Sequence, residues 1–447
     1  MKLYNTASRK LETFKPRGDL VKIYTCGPTV YNFQHIGNYA AYIYWDLLVR
    51  TLRANGYKVK RVLNLTDVGH LVSNGDEGED KLEKGAKREG KSVYEVAEYY
   101  AADFLKNYRA LNLIEPDVIA KATDYIEQDK KAVDLMTEHG FTYETEDGVY
   151  FDTSKFSQYA EFAKLDLGGL HAGARVGFSN EKRNASDFAV WKFIKPGEKH
   201  AMRWDYLGRP GYPGWHLECS TIIHEELGEP IDIHTGGIDH IPVHHTNEIA
   251  QSFAAYGHDL SHYWLHCDFI TIDGQKVSKS LGNVYLLSDL AERGFSPMDF
   301  KMWLLSGHYQ GTRNFTFESL AGAKARRLNW RNRIALCYQK EIVSDEDIYD
   351  RVLESVSNNL NSAEAFALID ASTISLEDWK KIDELFGLNL VIDTPDVSEE
   401  TVDIIIEREK ARMDKNYSRS DEIRDELLAK GIALRDTPDG VVWEYKQ

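Results

Sequence analysis

The chain has 447 residues, with 54 Lys and Arg against 71 Asp and Glu, a net charge of −17. That length predicts two to four compact units. No run of about 18 apolar residues appears, so no membrane-spanning helix is expected, and the start MKLYNTASRKLETFKP lacks the apolar stretch of a secretory signal; a cytoplasmic location follows. The acidic balance argues against nonspecific nucleic-acid binding and leaves only a local concentration of positive charge as a route to such a ligand.

In chain order, β-formers from Val21 to Tyr24 lead into CGPT. Tyr42, Trp45, Val49 and Leu52 then fall at helical spacing, and YKVKRVLNLTDV reads as a second strand. This is a βαβ unit, with the Cys26–Asn38 loop at the carboxyl end of the first strand, the edge where doubly wound sheets take ligands. The acidic loop Ser73–Gly85 reads as a solvated excursion or, since it follows a strand end, as a cover for the pocket. Residues 111–204 are mixed in character, with a hairpin expected at EDGVYFD and a glycine-rich loop at LGGLHAGARVGFSNEKRN, and read as an insertion splitting the fold. Two more strand-to-loop passages follow, EPIDIHTGGIDH and YWLHCDFITIDGQKVSKS. After about Thr316 long helical patterns predict a bundle, an acidic linker is expected near Thr394 to Glu400, and the chain closes on two charged helices and a hairpin around PDG. The basic run KARRLNWRNR, Lys324 to Arg333, reads either as a solvated helix face or as an RNA contact.

Four cysteines, Cys26, Cys219, Cys267 and Cys337, are too scattered for a disulfide framework and favour free thiols or metal ligands, the bland reading of each being a small buried hydrophobe. Neither a dinucleotide fingerprint nor a P-loop is present. HIGN, His35 to Asn38, opens the first helix, where backbone N–H groups and the dipole favour an anion and Gly37 allows close approach; simple helix capping is the alternative. KVSKS carries Lys276 and Lys279 on a Gly- and Ser-flanked loop that could bring cations to a phosphate, or could be a solvated basic loop.

Together HIGN and KVSKS resemble the HIGH and KMSKS signatures of class I aminoacyl-tRNA synthetases, with Asn38 for the second histidine and Val277 for methionine. YTCGPTVY, PGWHLECS, IDIHTGGID, VHHTNEIAQS and KVSKSLGN narrow the resemblance to the cysteinyl-tRNA synthetase family, over essentially the whole chain. The resemblance implies an α/β fold: a Rossmann-like doubly wound parallel sheet split by an insertion, then an α-helical bundle and a small C-terminal α+β anticodon-binding domain. The expected boundaries are 1–110 and 205–265 for the two catalytic halves, 111–204 for the insertion, 266–318 for the region of the lysine loop, 319–395 for the bundle and 396–447 for the anticodon module.

The same resemblance implies one Zn²⁺ on Cys26, Cys219, His244 and Glu248, a set that spacing alone does not reveal. His244 and Glu248 are i and i+4, sharing a helix face, and thiolate, imidazole and carboxylate all suit zinc. His245 is then expected to point elsewhere on that helix, as a support outside the ligand set or a nucleotide contact. The family's usual PHHENE block reads VHHTNE here, changed at Val243 and Thr246. A packed pocket would separate cysteine from serine by only about 1 to 3 kcal/mol, whereas direct thiolate ligation separates them by chemistry. Thr29, Thr66, Trp215 and Asp239 are implied for the cysteine pocket, Asp239 toward the amino group. His35, Gly37, Asn38, Gly237 and Lys279 are implied for ATP, which brings Mg²⁺; His35, Asn38, Lys276 and Lys279 would stabilise the transition state. Arg412, Tyr417, Asp421 and Asp436 are implied for the anticodon, by stacking and by accepting from base amino groups. The implied partners are L-cysteine, ATP and tRNA(Cys), with a monomeric enzyme and no membrane. Three alternatives stand beside this: a cysteine ligase acting on an amino sugar, whose members lack the C-terminal module; a non-catalytic zinc-containing RNA-binding or cysteine-sensing protein; and a zinc hydrolase built on His234, Asp239, His240 and His244, which lacks H-E-x-x-H.

Overall fold

The computed structural model describes residues 1–69, 81–165, 181–195, 197–198, 200–278, 281–438 and 440–446. A short hairpin, β1 (Lys2–Asn5) and β2 (Lys10–Thr13), precedes β3 (Leu20–Thr25), α1 (Ile36–Ala54) and β4 (Lys58–Leu65). β3 and β4 pair in parallel, so the chain between them must cross over, and α1 does so. Helices α2 (Lys81–Glu89) and α3 (Val93–Ala110) lead to β5 (Val118–Lys121), which extends the sheet beyond β4. Much of the acidic loop and of the glycine-rich loop falls outside the described residues.

After α4 (Ile126–Glu138), strands β6 (Thr142–Glu144), β7 (Gly148–Phe151), β8 (Phe188–Phe193), β9 (Trp204–Tyr206) and β10 (Arg209–Pro213) form a separate antiparallel sheet in the order β6-β7-β8-β10-β9. Its first two strands are the hairpin read from EDGVYFD. The sheet covers Thr142 to Pro213. Then α5 (Leu217–Leu227), β11 (Ile231–Gly237), α6 (Thr246–Tyr256) and β12 (Ser261–Cys267) return the chain to the parallel sheet, giving the order β12-β11-β3-β4-β5. Strand β11, read as IDIHTGG, is buried from Ile231 to Gly236, as both faces of a parallel sheet require. The strand order reverses between β3 and β11, and the loops at their carboxyl ends open into one crevice.

Beyond β12 lie β13 (Ile270–Ile272), β14 (Gln275–Lys276), α7 (Leu287–Glu292), α8 (Pro297–Leu305) and β15 (Arg313–Phe315). The bundle is α9 (Phe317–Gln339), α10 (Ile348–Ser357), α11 (Ser362–Ala371) and α12 (Leu376–Phe386). Trp330, Phe366, Trp379 and Phe386 pack edge-on or tilted in its centre, all essentially buried. One core runs from the sheet through α1 into this bundle. Where it crosses, the buried Asp46 of α1 accepts from Lys301 Nζ (3.0 Å) and Arg50 Nε (2.8 Å). Burial would raise the Asp46 carboxyl, but Lys301 and Arg50 outweigh it and hold it low.

The C-terminal unit is α13 (Glu399–Met413), α14 (Tyr417–Ala429) and the hairpin β16 (Ile432–Thr437) with β17 (Gly440–Tyr445). It has its own small core, in which Ala335 of α9 joins Ile423, Leu427 and Trp443.

Candidate functional site

The loop after β3 carries Cys26 over the crevice because Gly27 passes directly against the neighbouring strand. A Cβ at position 27 would stand 1.6 Å from the Asn64 carbonyl oxygen, so only glycine fits. Cys219 lies in the first turn of α5, where burial and a bond from Ser220 Oγ to Gln251 Oε1 (2.9 Å) lock α5 against α6. A π-helical turn, Ile241–His245, feeds directly into α6 and supplies His244, and α6 supplies Glu248. Sulfur, sulfur, nitrogen and oxygen from Cys26, Cys219, His244 and Glu248 all lie within 4.8 Å of one another and are buried. That is the spread a four-coordinate ion with bonds of about 2.0 to 2.3 Å requires, and the donor chemistry suits zinc.

The expectation that His245 points away does not hold. The π turn widens the backbone spiral just before Glu248, as such turns do at functional sites, and turns both histidines inward. His244 Nε2 is 2.7 Å from Glu248 Oε1 and 3.5 Å from Cys219 Sγ, while His245 Nε2 is 3.4 Å from Cys26 Sγ. A second donor set, Cys26, His234, His245 and Glu248, therefore overlaps the first. Glu248 divides its two oxygens between them, since His234 Nε2 is 2.6 Å from Oε2. Gly236 makes room for this cluster: a Cβ there would meet the rings of His245 and His240 at 2.6 and 2.7 Å.

The electrostatics suit a cation among these donors. Burial would raise Glu248, but His234 and His244 hold its carboxyl far below the usual range. Burial works against His244 too, yet Glu248 and Cys219 raise it. Burial and then the neighbouring thiol push Cys26 up, while a hydrogen bond from Cys26 outweighs burial and lowers Cys219, so Cys219 gives up its proton first. His245 and His266 are depressed by burial and by neighbouring imidazoles, and His240 falls to about 4 for the same reasons. Outside the donors, His216 Nδ1 lies 2.8 Å from His244 Nδ1, and His245 Nδ1 is 2.8 Å from His266 Nε2, whose Nδ1 reaches Thr6 Oγ1 at 2.8 Å. Such outer partners fix ring orientation and tautomer. The sequence reading missed His216, His266 and Thr6, while His245, expected as a support or a nucleotide contact, does stand beside the donors; for His266 the available signal was a histidine inside an otherwise apolar buried strand.

Around this centre, the Trp215 ring lies 5.0 Å from that of His244. Thr29 and Thr66 bridge in parallel fashion at the lip of the sheet. Asp239 is exposed just past Gly237, near enough to raise the Cys26 thiol. His35 caps α1: its backbone N–H donates to Asn38 Oδ1 (3.0 Å), and its ring lies over Gly37, where a Cβ would approach it to 2.9 Å. The Ile36 N–H donates to the Tyr285 carbonyl (2.9 Å), which pins HIGN to the segment that follows KVSKS. Lys276, on β14, is exposed, and Asn283 ties its carbonyl and the Ser278 N–H together. Lys279 lies outside the described residues.

The basic run in α9 is neither a solvated face nor a free phosphate patch. Arg327 is buried and bonds Asp393 and the Leu388 carbonyl, Arg331 bonds Thr394 and the Asp393 carbonyl, and Arg333 bonds the carbonyls of Ile369 and Ser372. Arg326 pairs with Asp370, and Lys324 donates to the Gly294 carbonyl. These cations join α9 to its neighbours. In the C-terminal unit Asp436 accepts from the buried Arg408 and from Arg412 and Arg424, and Arg408 with Arg412 holds its carboxyl far below the usual range. Tyr417 is 61% exposed and Asp421 is exposed beside it on α14.

Comparison with known proteins agrees with this architecture. Residues 13–325 match the family model of the tRNA synthetases class I (C) catalytic domain, and residues 394–443 match that of the cysteinyl-tRNA ligase anticodon binding domain. Cysteine–tRNA ligase 1 of Burkholderia lata is 41% identical, covering 98% of this chain and 95% of its own. The cysteine–tRNA ligase of Treponema denticola is 38% identical over 99% of both. Among solved structures, methionyl-tRNA synthetase of Mycobacterium tuberculosis with methionyl-adenylate has a TM-score of 0.59 at 17% identity, over 82% of this chain and 84% of that one, a likeness of fold. With two family matches that together span the parallel sheet and the C-terminal unit, and relatives alike from end to end, the chain belongs to the cysteine–tRNA ligase family of class I tRNA synthetases.

Proposed function

We propose that the chain activates L-cysteine with ATP and transfers it to tRNA(Cys), acting as a cytoplasmic monomer, and that Cys26, Cys219, His244 and Glu248 hold one Zn²⁺ at the centre of the site. The observation that carries this is the convergence of two buried thiols, an imidazole and a carboxylate, from three separate parts of the chain, within bonding reach of a single ion. Of the two overlapping donor sets, the one with both thiols supplies more negative charge to a dication and leaves His234 and His245 as outer supports. Bound zinc would take the substrate's sulfur as a thiolate and discriminate against the alcohol of serine. Among the described residues no helix is long and apolar enough to cross a membrane.

The residues of the chain then have the following work. Trp215 and Thr66 close the sides of the cysteine pocket, and Asp239 holds the substrate ammonium at the crevice mouth. The substrate carboxylate attacks the α-phosphorus of ATP, the α–β phosphoanhydride bond breaks, and pyrophosphate leaves with Mg²⁺. The N-terminus of α1, with His35 and Asn38, receives the phosphates. Lys276 and Lys279 stabilise the charge that develops on them, and no protein nucleophile is needed. Gly37 and Gly237 leave room for the nucleotide. The terminal adenosine hydroxyl of the tRNA next displaces AMP, while Arg412, Tyr417, Asp421 and Asp436 meet the anticodon. Asn38 already spends its Oδ1 on capping α1, which leaves its amide N–H groups for phosphate.

Cysteine-dependent ATP–pyrophosphate exchange, with and without a zinc chelator, followed by charging of tRNA with a GCA anticodon, tests this reading. Exchange and charging are both expected, and both should fall with chelation. Exchange without charging would favour the amino-sugar ligase, a reading that the matched C-terminal module disfavours.

A further inference from the structure

The two sulfurs belong to segments far apart in sequence, and a single short piece of β4 and its exit ties both to one frame. The Gly27 N–H, next to Cys26, donates to Asn64 Oδ1 at 2.7 Å. Asn64 Nδ2 donates to Thr66 Oγ1 at 3.0 Å, and Thr66 Oγ1 donates to Glu218 Oε2 at 3.1 Å. Glu218 immediately precedes Cys219. Asn64, Thr66 and Glu218 are all nine-tenths or more buried. The backbone of Thr66 adds two more ties to the Cys26 loop, its N–H to the Pro28 carbonyl and its carbonyl from the Val30 N–H, both at 3.1 Å.

We propose that Asn64, Thr66 and Glu218 are positioning residues that set the spacing of the two sulfurs, the Thr66 hydroxyl being the joint between the Cys26 loop and the Cys219 helix. The inference rests on the ligand set proposed above. Its physical basis is that the two thiols ride on separate carriers, so their spacing depends on what joins those carriers. Cys26 sits on a loop of glycine and proline, and Cys219 in the first turn of α5. Each link of the chain is buried, so losing one removes a bond that water cannot replace, and the free energy lost falls on the geometry between the sulfurs. Outer partners of this kind are worth about 10- to 100-fold in metal affinity. The same frame explains why position 27 must be glycine: the bond to Asn64 Oδ1 draws the loop onto the Asn64 backbone.

The test reads metal, in the absence of cysteine and ATP. Full-length chain is loaded with Co²⁺, whose sulfur-to-metal charge-transfer band counts thiolates and whose visible bands report coordination geometry, and zinc affinity is measured by competition with a chelator. Thr66→Val removes the hydroxyl while keeping side-chain volume and both backbone ties; Thr66→Ser keeps the hydroxyl. Thr66→Val should lose about 10- to 100-fold in zinc affinity and shift the visible bands, and Thr66→Ser should stay near wild type. Glu218→Gln, which retains an oxygen to accept from Thr66, should stay closer to wild type than Glu218→Ala. Wild-type affinity and spectra in Thr66→Val overturn the proposal, as does an equal loss in the valine and serine variants. A wild-type chain that shows no two-thiolate band overturns the ligand set and the proposal together, and is told apart from the other failures because it appears before any substitution is made.

Discussion

The two ends of the molecule use charge in opposite ways. In the crevice, thiols, imidazoles and carboxylates are buried against one another and answer mainly to each other, as in the contacts of Glu248 with His234 and His244. In the C-terminal unit, Asp436 gathers Arg408, Arg412 and Arg424 at a half-open surface, and Tyr417 stands in solvent. Desolvation makes the first arrangement costly unless something positive completes it, and that need points to an ion. At the second, solvent screens each pair, so single charges there matter little and an exposed aromatic matters more.

The sharpest way to break the comparison is at the crevice. Cys219→Ser should abolish stoichiometric zinc and cut cysteine-dependent pyrophosphate exchange by at least about 100-fold, measured by metal analysis and exchange on one preparation; retention of both would remove the basis for the contrast.

Glu229 offers a second, larger-than-surface effect. It is half-buried just past the end of α5, accepts from Ser252 Oγ (3.1 Å), and the partial desolvation of its carboxyl raises it to about 8. The folded chain therefore keeps a proton there that the unfolded chain loses at the ordinary glutamate value. Its contribution to stability is complete below that value and fades as pH rises toward about 8. Glu229→Gln should flatten this slope, at most about 1.4 kcal/mol per pH unit, in urea melts between pH 5 and 8; parallel profiles for the two proteins would contradict it.

The basic run of α9 sharpens the contrast from the middle of the chain. Arg327→Ala leaves Asp393 and the Leu388 carbonyl without their donor and should cost about 2 to 3 kcal/mol of stability, with tRNA affinity of the folded protein unchanged. A large loss of tRNA affinity at full stability would return this segment to the RNA surface.

Smallest is the exposed end. Tyr417→Ala should weaken tRNA(Cys) by about 1 to 2 kcal/mol, read as a raised KM for tRNA in charging, and leave pyrophosphate exchange untouched. An effect on exchange would mean that the two ends are coupled through the bundle.

Much of this was legible beforehand, because local patterns carry it. β3, α1 and β4 follow from β-formers, a 3.6-residue period and a second β run, and the PDG hairpin from its turn residues. The placement of Cys26 above a strand end follows from the βαβ unit. What could not be read is the facing of His245, since an ordinary helix would turn it about 100° from His244 and only the π turn at Ile241–His245 brings both inward. The role of the α9 arginines was equally hidden, because their acceptors are mainly carbonyls and acids 36 to 66 positions away, and carbonyl acceptors leave no mark in sequence.

By itself, then, the amino-acid sequence determined the elements, their order, and through HIGN, KVSKS and the blocks between them the family and its chemistry. These depend on residue type and short spacing, which a linear chain records. Tertiary structure alone brings two overlapping donor sets into one ion-sized space, ranges Thr6, His216 and His266 around them, and links the two cysteine segments through Asn64, Thr66 and Glu218. Those relations are contacts between distant parts of the chain, fixed by how a parallel sheet and two helices bury one another.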